Sequence, residues 1–363
     1  MTDRERWDAI FGYRPFDRLP VYYFGQWAET TERWRREGWR EGESIWDATG
    51  MDRDWEAGMW DVHGLVRNKV APLFEGDTVI EESADHRVVR RMDGSVVNER
   101  KDGGSIPQVL THALEPTREA WAAFRKRLDP GDPTRRPADW RERARELNGR
   151  SHMTPFLAGS LYGWPRAWMG MERLSLLMYD DPALFESIIA HVADFFMEVN
   201  GPVLDECRFD FAYFFEDCCF SNGPMFSPDV YHRHFHKHYR RMVDFYHRKG
   251  VKYVLLDSDG KVDALLPSWL GSGIDILFPI EVGTWKADPV ALRKRFGRDL
   301  RMFGGVNKHV IAEGEAAVRR ELRRLEPLVN AGGFVPIPDH RIPPNVSLEA
   351  FRAYVRVFKE IYC

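Results

Sequence analysis

The chain has 363 residues, of which 44% are apolar and 30% charged, and its 52 basic and 56 acidic side chains give a net charge of −4. This balance provides no positive field for nucleic acid or an anionic membrane surface, and 23 phenylalanines with 13 tryptophans supply a sizeable core. The amino terminus is charged from Asp3 onward, and no apolar run approaches the ~18 residues of a membrane span. We therefore expect a cytoplasmic, folded protein that acts on a small molecule.

The first 150 residues are predicted to be an elaborated first part of a single domain that spans residues 1–363. The segment 18–24 (RLPVYYF) is predicted as the first strand. Three short β-like runs between about 69 and 103 surround Asp93-Gly94 and predict an inserted hairpin. The turn-rich segment 128–140 is interpreted as a connector within the domain, because a regular strand series continues after it.

From residue 151 onward, apolar runs of strand length alternate with helical patterns. Runs that are apolar throughout are typical of strands covered on both faces, as in a parallel sheet. Helices are predicted at 182–199 from the i, i+3, i+4 spacing, and after the capping residues Ser227, Asp288 and Ser347. The six apolar runs are 153–160, 210–215, 252–256, 274–280, 300–303 and 333–337.

Repeated strand–helix units require right-handed crossovers, which either a doubly wound sheet or a closed (β/α)8 TIM barrel satisfies. A barrel gathers all carboxyl ends of its strands at one face, whereas an open sheet scatters them. Because polar residues follow nearly every predicted strand, we predict an α/β TIM barrel with an N-terminal helical and β-hairpin elaboration. Those polar residues are Glu216, Asp217, Asp257, Asp259, Glu281, Asn307, Lys308, Asp339 and His340.

The motif Asp257-Ser258-Asp259-Gly260 is the leading candidate for chemistry. In extended chain, residues i and i+2 point to the same side, so both carboxylates can share a proton or flank a cation. A solvated acidic turn closed by glycine explains the motif equally well. Together with His340, and with Glu216 as a fourth member, the two aspartates offer a ligand set suited to zinc, iron or manganese.

Two further patterns are less specific. The segment 304–308 (GGVNK) could cradle a phosphate, with Asn307 and Lys308 as cofactor-binding residues, although its spacing is neither a Walker nor a dinucleotide motif. Four histidines with i, i+4 spacing favour a polar helix face over a metal site. They are His232, His234, His236 and His238.

The four cysteines show no C-x-x-C spacing, which excludes an encoded disulfide framework or zinc ribbon. The adjacent pair Cys218 and Cys219 is expected to be buried, because free cysteine usually packs as a small apolar side chain. The other two are Cys207 and Cys363.

Taken together, these motifs resemble the uroporphyrinogen decarboxylase superfamily, a TIM-barrel family that also contains the corrinoid and coenzyme M methyltransferases. The resemblance covers nearly the whole chain and is specific for the superfamily, but for no single reaction. It rests on residues 18–21 (RLPV), Glu216-Asp217 with Gly223-Pro224 and Ser227-Pro228, the 257–260 motif, residues 304–308, and residues 339–344 (DHRIPP).

Departures from the superfamily patterns narrow what the resemblance implies. In true uroporphyrinogen decarboxylases, two arginines after the first strand hold the substrate carboxylates, and here Gly25 and Glu29 occupy those positions. A highly anionic porphyrinogen would therefore be repelled. The methyltransferases bind zinc through a His-x-Cys pair and a later cysteine, where this chain has Asp257, Asp259 and His340.

The resemblance implies methyl (one-carbon) transfer, including O-demethylation, at the mouth of the barrel. Asp257, Asp259 and His340 would bind a divalent metal, zinc first, or orient the methyl acceptor. Glu216 would be an acid–base group or fourth ligand, and Glu281 would support the others. A corrinoid on a partner protein is the implied methyl carrier, because the chain lacks the cobalamin-binding pattern Asp-x-His-x-x-Gly.

Two other functions stay open at this point. One is a carboxy-lyase that decarboxylates a small acid or a porphyrinogen-like substrate, with His340 and an aspartate as proton donors. The other is a non-catalytic binder of a corrinoid or tetrapyrrole, since fold does not fix function. A homodimer is compatible with the sequence. Aromatic N-terminal loops would suit an ether substrate, but we expect most of their tryptophans in the core: Trp27, Trp34, Trp39, Trp46, Trp55 and Trp60.

Overall fold

The structure is a computed structural model that describes residues 1–53, 55, 64–102, 106–283 and 285–363. Within these ranges the strands fall into a separate antiparallel sheet, a parallel sheet and a two-stranded hairpin. They are β1 Thr78–Glu82, β2 His86–Arg90, β3 Val96–Arg100, β4 Gln108–Thr111, β5 Phe156–Gly159, β6 Phe211–Phe215, β7 Cys219–Phe220, β8 Gly223–Pro224, β9 Tyr253–Asp257, β10 Ile276–Ile280, β11 Arg301–Val306 and β12 Phe334–Pro338.

The parallel sheet has the strand order β12-β11-β10-β9-β6-β5. Each of its strands coincides with one of the six predicted apolar runs, and nearly all of their residues are buried. The predicted parallel sheet is therefore confirmed. One boundary is wrong, because β11 continues to Val306 and so includes Gly304 and Gly305, which were expected in a loop. Gly304 stays in the strand because its missing side chain allows close contact with β10, where a Cβ would lie 2.5 Å from the nitrogen of Ile280.

Two chain segments complete the (β/α)8 barrel beside the edge strands of this sheet. Next to β12, Gln26 and Ile342 form a parallel bridge. Next to β5, the side-chain amide of Asn68 donates a hydrogen bond to the carbonyl of Leu157. Both segments precede β5 in the chain, and the hydrogen bonds shown between them and the edges of the sheet are few.

The predicted first strand, 18–24, is buried over residues 19–23 but forms no continuous strand ladder in the described part of the chain. Its backbone donors explain the difference. Pro20 has no N–H, and the N–H of Val21 donates to the carboxylate of Asp52 at 2.8 Å. These groups are therefore not available to a neighbouring strand.

The predicted hairpin at 69–103 is part of a four-stranded antiparallel sheet ordered β1-β2-β3-β4. The turn around Asp93-Gly94 joins β2 to β3 as predicted, with the N–H of Arg91 bound to the carbonyl of Ser95 at 2.8 Å. Strand β4 lies beyond the predicted limit of residue 103, and its four residues are exposed, as are those of β1. The end of the predicted hairpin, residue 103, lies outside the described residues.

The predicted helix starts are confirmed by their caps. Ser227, Asp288 and Ser347 each accept a hydrogen bond from a backbone N–H in the first turn of their helix. The helix predicted at 182–199 extends further, to Glu206. The described helices are α1 Asp3–Phe11, α2 Ala28–Arg36, α3 Ile45–Thr49, α4 Arg118–Phe124, α5 Trp140–Leu147, α6 Gly163–Met169, α7 Met171–Asp180, α8 Pro182–Glu206, α9 Pro228–His234, α10 His236–Arg248, α11 Leu266–Gly271, α12 Pro289–Phe296, α13 Glu315–Ala331 and α14 Leu348–Tyr362.

Helix α1 closes the amino-terminal end of the barrel. Its Trp7 ring stacks on Phe211 of β6, with centroids 5.0 Å apart, and contacts Phe303 of β11 at 5.4 Å. These two strands are not neighbours in the sheet, so Trp7 projects into the barrel interior. The side chain of Arg301 at the start of β11 donates to the carbonyl of Phe11 at 2.7 Å. The open mouth is therefore the opposite end, where the strands finish.

The core is one hydrophobic cluster that runs from Trp7 to Phe358. Its continuity is compatible with the single domain predicted for residues 1–363, which stays a prediction. Within the described ranges, no helix combines the length and the apolar character needed to cross a membrane. Among the tryptophans expected in the core, Trp34, Trp39 and Trp55 are buried, Trp46 is partly buried and Trp27 is 40% exposed, while Trp60 lies outside the described residues.

Replacing Trp7 with alanine tests the closure of the barrel. We expect Trp7→Ala to lower the free energy of unfolding by about 3–5 kcal/mol, because a buried ring that contacts two strands is removed. The exposed ring of Trp27 offers a control, and Trp27→Ala should change the free energy of unfolding by about 1 kcal/mol or less. Denaturant titration followed by circular dichroism measures both values. Equal losses in the two variants would contradict this role of Trp7.

Candidate active site

The predicted site residues lie where the strands end, at the mouth opposite Trp7. Asp257 is the last residue of β9, while Glu216 and Glu281 directly follow β6 and β10. His340 comes two residues after β12. Because the barrel brings these ends together, the individual contacts decide which side chains meet.

Glu216 is fully buried and binds the loop that follows β5. Its carboxylate accepts hydrogen bonds from the N–H groups of Leu161 at 2.6 Å, Tyr162 at 2.7 Å and Gly163 at 3.0 Å. The hydroxyl of Tyr239 also donates to it. Burial raises the pKa of Glu216 above its usual value, against the lowering effect of these donors. The contacts make Glu216 an anchor for the β5 loop, and its predicted acid–base or metal-ligand role stays a prediction.

Glu281 and Asp339 repeat this arrangement further round the barrel. Glu281 accepts a hydrogen bond from the N–H of Gly260 at 2.6 Å. Asp339 accepts hydrogen bonds from the N–H groups of Gly283 at 2.7 Å and Lys308 at 3.1 Å. Glu216 and Glu281 thus bind the backbone of the loop after the preceding strand, and Asp339 binds the loops after both β10 and β11. These charge-assisted hydrogen bonds fix the mouth loops relative to one another.

Asp259 and His340 are the predicted site residues whose side chains meet. The Nε2 atom of His340 lies 3.2 Å from Oδ2 of Asp259. Two strands, β10 and β11, separate β9 from β12 in the sheet, so this pair bridges across part of the mouth. Among the residues that the structure describes, Oδ1 of Asp259 is buried without a hydrogen-bond donor, and Nδ1 of His340 has no hydrogen-bond partner. One acceptor and one ring nitrogen therefore remain available to a bound molecule.

Aromatic side chains from the first barrel segment flank this pair. The ring centroids of Phe24 and Trp27 lie 5.2 Å and 5.9 Å from that of His340. The guanidinium of Arg341 lies 5.7 Å and 5.8 Å from the same two rings. The N–H of Trp27 donates to the carbonyl of Ile342 at 3.3 Å, which ties the two segments together. The mouth thus has an aromatic wall beside the Asp259–His340 pair.

Asn307 and Lys308, predicted as cofactor-binding residues, both form hydrogen bonds within the protein, Asn307 through its side chain and Lys308 through its backbone N–H. The Asn307 side chain caps the 3-10 helix Lys308–Glu313 by accepting a hydrogen bond from the N–H of His309 at 3.1 Å. The backbone N–H of Lys308 binds Asp339, as described above. Cofactor binding by these two residues stays a prediction.

The predicted metal ligands do not form one cluster. The carboxylate of Asp257 accepts a hydrogen bond from the Tyr213 hydroxyl, and Glu216 is held by the β5 loop. In the described part of the chain, no group of three or more His, Cys, Asp or Glu side chains is arranged to hold a metal ion. The geometry therefore does not fit the proposed set of Asp257, Asp259, His340 and Glu216. Metal binding stays a prediction, and no step below depends on it.

The other sequence patterns have structural explanations. Cys218 and Cys219 are buried, as expected, and all four cysteines are free thiols. The histidines divide between two neighbouring helices. His238 contacts Glu186 of α8 at 2.7 Å, and His236 contacts Ser272 beside α11 at 2.8 Å.

Arg341 is the residue at this site to which the sequence analysis assigned no role. It directly follows His340 in the chain, and that adjacency was the available signal. The partner hydroxyls of Tyr213 and Tyr239 were also missed, because each belongs to an element that is distant in sequence from its carboxylate.

Comparisons with known proteins agree on the fold. The sequence profile of the family described as uroporphyrinogen decarboxylase (URO-D) matches residues 147–361, more than half of the chain. A methyltransferase from Methanosarcina mazei has a similar structure, with a TM-score of 0.60, 13% sequence identity and coverage of 99% of each chain. A B12-independent methionine synthase from Shewanella sp. W3-18-1, in complex with selenomethionine, gives a TM-score of 0.43 at 12% identity, over 95% of this chain and 99% of that one. No curated protein matches the chain by sequence.

Gly260 provides a test of how the Asp259 loop is held. Its φ is +85°, and a Cβ there would lie 2.5 Å from the carbonyl oxygen of Cys219. We expect Gly260→Ala to lower the free energy of unfolding by about 2–5 kcal/mol, from backbone strain plus overlap. Gly250→Ala is the matched control, since Gly250 has φ +87° with nothing within 4 Å, and it should cost about 1–2 kcal/mol. Denaturant titration compares them, and equal losses would contradict the close contact.

Glu216→Gln tests the anchor of the β5 loop. Glutamine offers one acceptor oxygen instead of two and places an NH2 group against backbone N–H groups. We expect the free energy of unfolding to fall by about 2–4 kcal/mol at pH 7. The raised pKa of Glu216 means that its contribution to stability is greatest at low pH and is lost as the pH rises through that pKa. The native protein should therefore gain stability over the variant between pH 7 and pH 5, and a difference that narrows on acidification would contradict this.

Proposed function

The chain belongs to the uroporphyrinogen decarboxylase family. We propose that it is a methyltransferase whose substrate reacts at the Asp259–His340 pair. The observation that carries this proposal is the pair itself, with one carboxylate oxygen and one imidazole nitrogen available beside an aromatic wall. The similar fold of the methyltransferase from Methanosarcina mazei, which matches over 99% of both chains, also supports the proposal of methyl transfer.

The substrate that suits this site is a methyl ether on a planar, apolar ring. Trp27 is 40% exposed and can stack on such a ring, while Phe24 extends the apolar surface toward His340. An ether oxygen accepts hydrogen bonds but donates none. It therefore pairs with an imidazolium N–H and not with a carboxylate, which assigns the ether oxygen to His340.

In the proposed reaction, the bond between the methyl carbon and the ether oxygen breaks, and both bonding electrons remain on the oxygen. His340, as the imidazolium, transfers its Nδ1 proton to that oxygen and so yields the free hydroxyl product. Asp259 stabilises the imidazolium through the Nε2···Oδ2 contact and keeps the ring in one orientation. Asp259 is therefore a positioning residue, and His340 is the general acid.

A corrinoid carried by a partner protein would supply the centre that accepts the methyl group. The site is accessible to such a partner, because the side chains of Trp27 and Asp259 are each about two-fifths exposed at the mouth. The residues of this chain would bind the substrate, exclude water from the ring face and deliver the proton. The proposal assigns no metal ligand within this chain.

Loss of the general acid should slow the reaction strongly. With methoxyaromatic substrates and reduced cobalamin as methyl acceptor, we expect His340→Ala to lower kcat by about 10²–10⁴-fold. His232→Ala is the matched control, because this exposed histidine lies on α9, away from the mouth, and it should leave turnover unchanged. Chromatography of the demethylated product measures both rates. Unchanged turnover by His340→Ala would contradict the assignment.

Asp259→Asn separates positioning from folding. Without the carboxylate, the imidazole ring is no longer held in one orientation, so we expect kcat to fall by about tenfold or more while KM stays nearly unchanged. A variant that loses stability and substrate binding together with kcat would contradict this positioning role. Two other outcomes would contradict the proposed methyl transfer. Release of carbon dioxide from a carboxylated substrate, without methyl transfer, would identify the protein as a carboxy-lyase. Corrinoid binding without turnover would identify it as a binding protein.

A further inference from the structure

Arg341 stands beside the proposed site as a cation without an acidic partner. Two other arginines near strand ends are neutralised by carboxylates, Arg18 by Asp52 at 2.6 Å and Arg166 by Asp217 at 2.9 Å, and others, such as Arg293, donate to backbone carbonyls. In the described part of the chain, Arg341 forms no ion pair and no side-chain hydrogen bond, and its contacts are to the Phe24 and Trp27 rings. A half-buried guanidinium with unused N–H donors is suited to an anionic ligand.

Gly25 creates the space that this guanidinium occupies. A Cβ at position 25 would lie 3.2 Å from Nη1 of Arg341, and its φ of +70° favours glycine. The N–H of Ile342, the residue after Arg341, donates to the carbonyl of Gly25 at 3.0 Å and fixes the two segments side by side.

The aromatic contacts hold Arg341 in place. Both rings that contact its guanidinium also contact the imidazole of His340, so the cation, the acid–base pair and the aromatic wall share one surface. An arginine held against aromatic rings loses less conformational freedom on binding, and its planar fork still presents parallel N–H groups at its edge. This edge can bind a carboxylate through two hydrogen bonds.

We propose that Arg341 selects a substrate with a single carboxylate, attached to the ring that stacks on Trp27 and bears the methyl ether. This inference rests on the proposed function and names its substrate class, the methoxylated aromatic monocarboxylic acids. One unpaired arginine matches one negative charge, in contrast to the many carboxylates of a porphyrinogen. The carboxylate serves as the handle for binding and is retained in the product.

Binding of two matched probes to the full chain tests this inference without any turnover. The probes are 4-methoxybenzoate and the uncharged 4-methoxybenzamide, which have the same ring and ether. We expect isothermal titration calorimetry to show that the native protein binds the benzoate at least about tenfold more tightly than the amide. Arg341→Gln should abolish this preference, and Arg341→Lys should retain part of it.

Two further variants test whether the preference for the benzoate depends on Arg341 and the adjacent Trp27 ring. Arg36→Gln, at an exposed arginine of α2, should keep the full preference for the benzoate. Trp27→Ala should weaken the binding of both probes, because it removes the ring on which they stack, and it should also reduce the preference for the benzoate, because it removes one of the two rings that hold Arg341. Equal affinity of the native protein for the two probes, or binding of neither, would overturn the inference. A preserved preference with no methyl transfer would instead contradict the proposed function and leave the carboxylate site in place.

Discussion

Buried carboxylates that bind backbone N–H groups hold the mouth of this barrel in shape. A buried charge without donors would cost several kcal/mol, so each of these groups is strongly tied to the loop that satisfies it. Glu281 binds the N–H of Gly260, which is the neighbour of Asp259, and Asp339 directly precedes His340. Asp259 and His340 are therefore both placed by sequence neighbours that are themselves fixed. The contact between these two side chains across the mouth depends on this framework.

Most of the barrel could be predicted from the sequence because its parallel strands are buried on both faces and its helices carry explicit caps. The same reasoning fails where backbone groups are satisfied in other ways. The N–H of Val21, for example, donates to a carboxylate instead of a neighbouring strand. The local sequence pattern predicts which residues are buried and where helices are capped, but it does not predict which acceptor a given backbone N–H will bind.

The position of the candidate site at the strand ends could be predicted from the sequence, but the roles of its individual residues could not. Several acidic residues follow strands in the same way, and their sequence context does not distinguish an anchor from a reactive group. The two carboxylates can be distinguished only by their contacts. Glu216 accepts several hydrogen bonds from backbone N–H groups, whereas Asp259 has one buried oxygen without a donor among the described residues. The role of Arg341 was hidden for a related reason, because it depends on the space left by Gly25 at the other end of the chain.

The proposed site draws on two parts of the chain. Asp259 and His340 lie within residues 147–361, the region that matches the family profile, whereas Phe24 and Trp27 lie before it. The backbone bridge between Gln26 and Ile342 joins the two parts. In the proposed site, substitutions in the amino-terminal segment would alter which molecule is accepted and leave the Asp259–His340 contact in place. Substrate choice and proton transfer would then be separable by mutation.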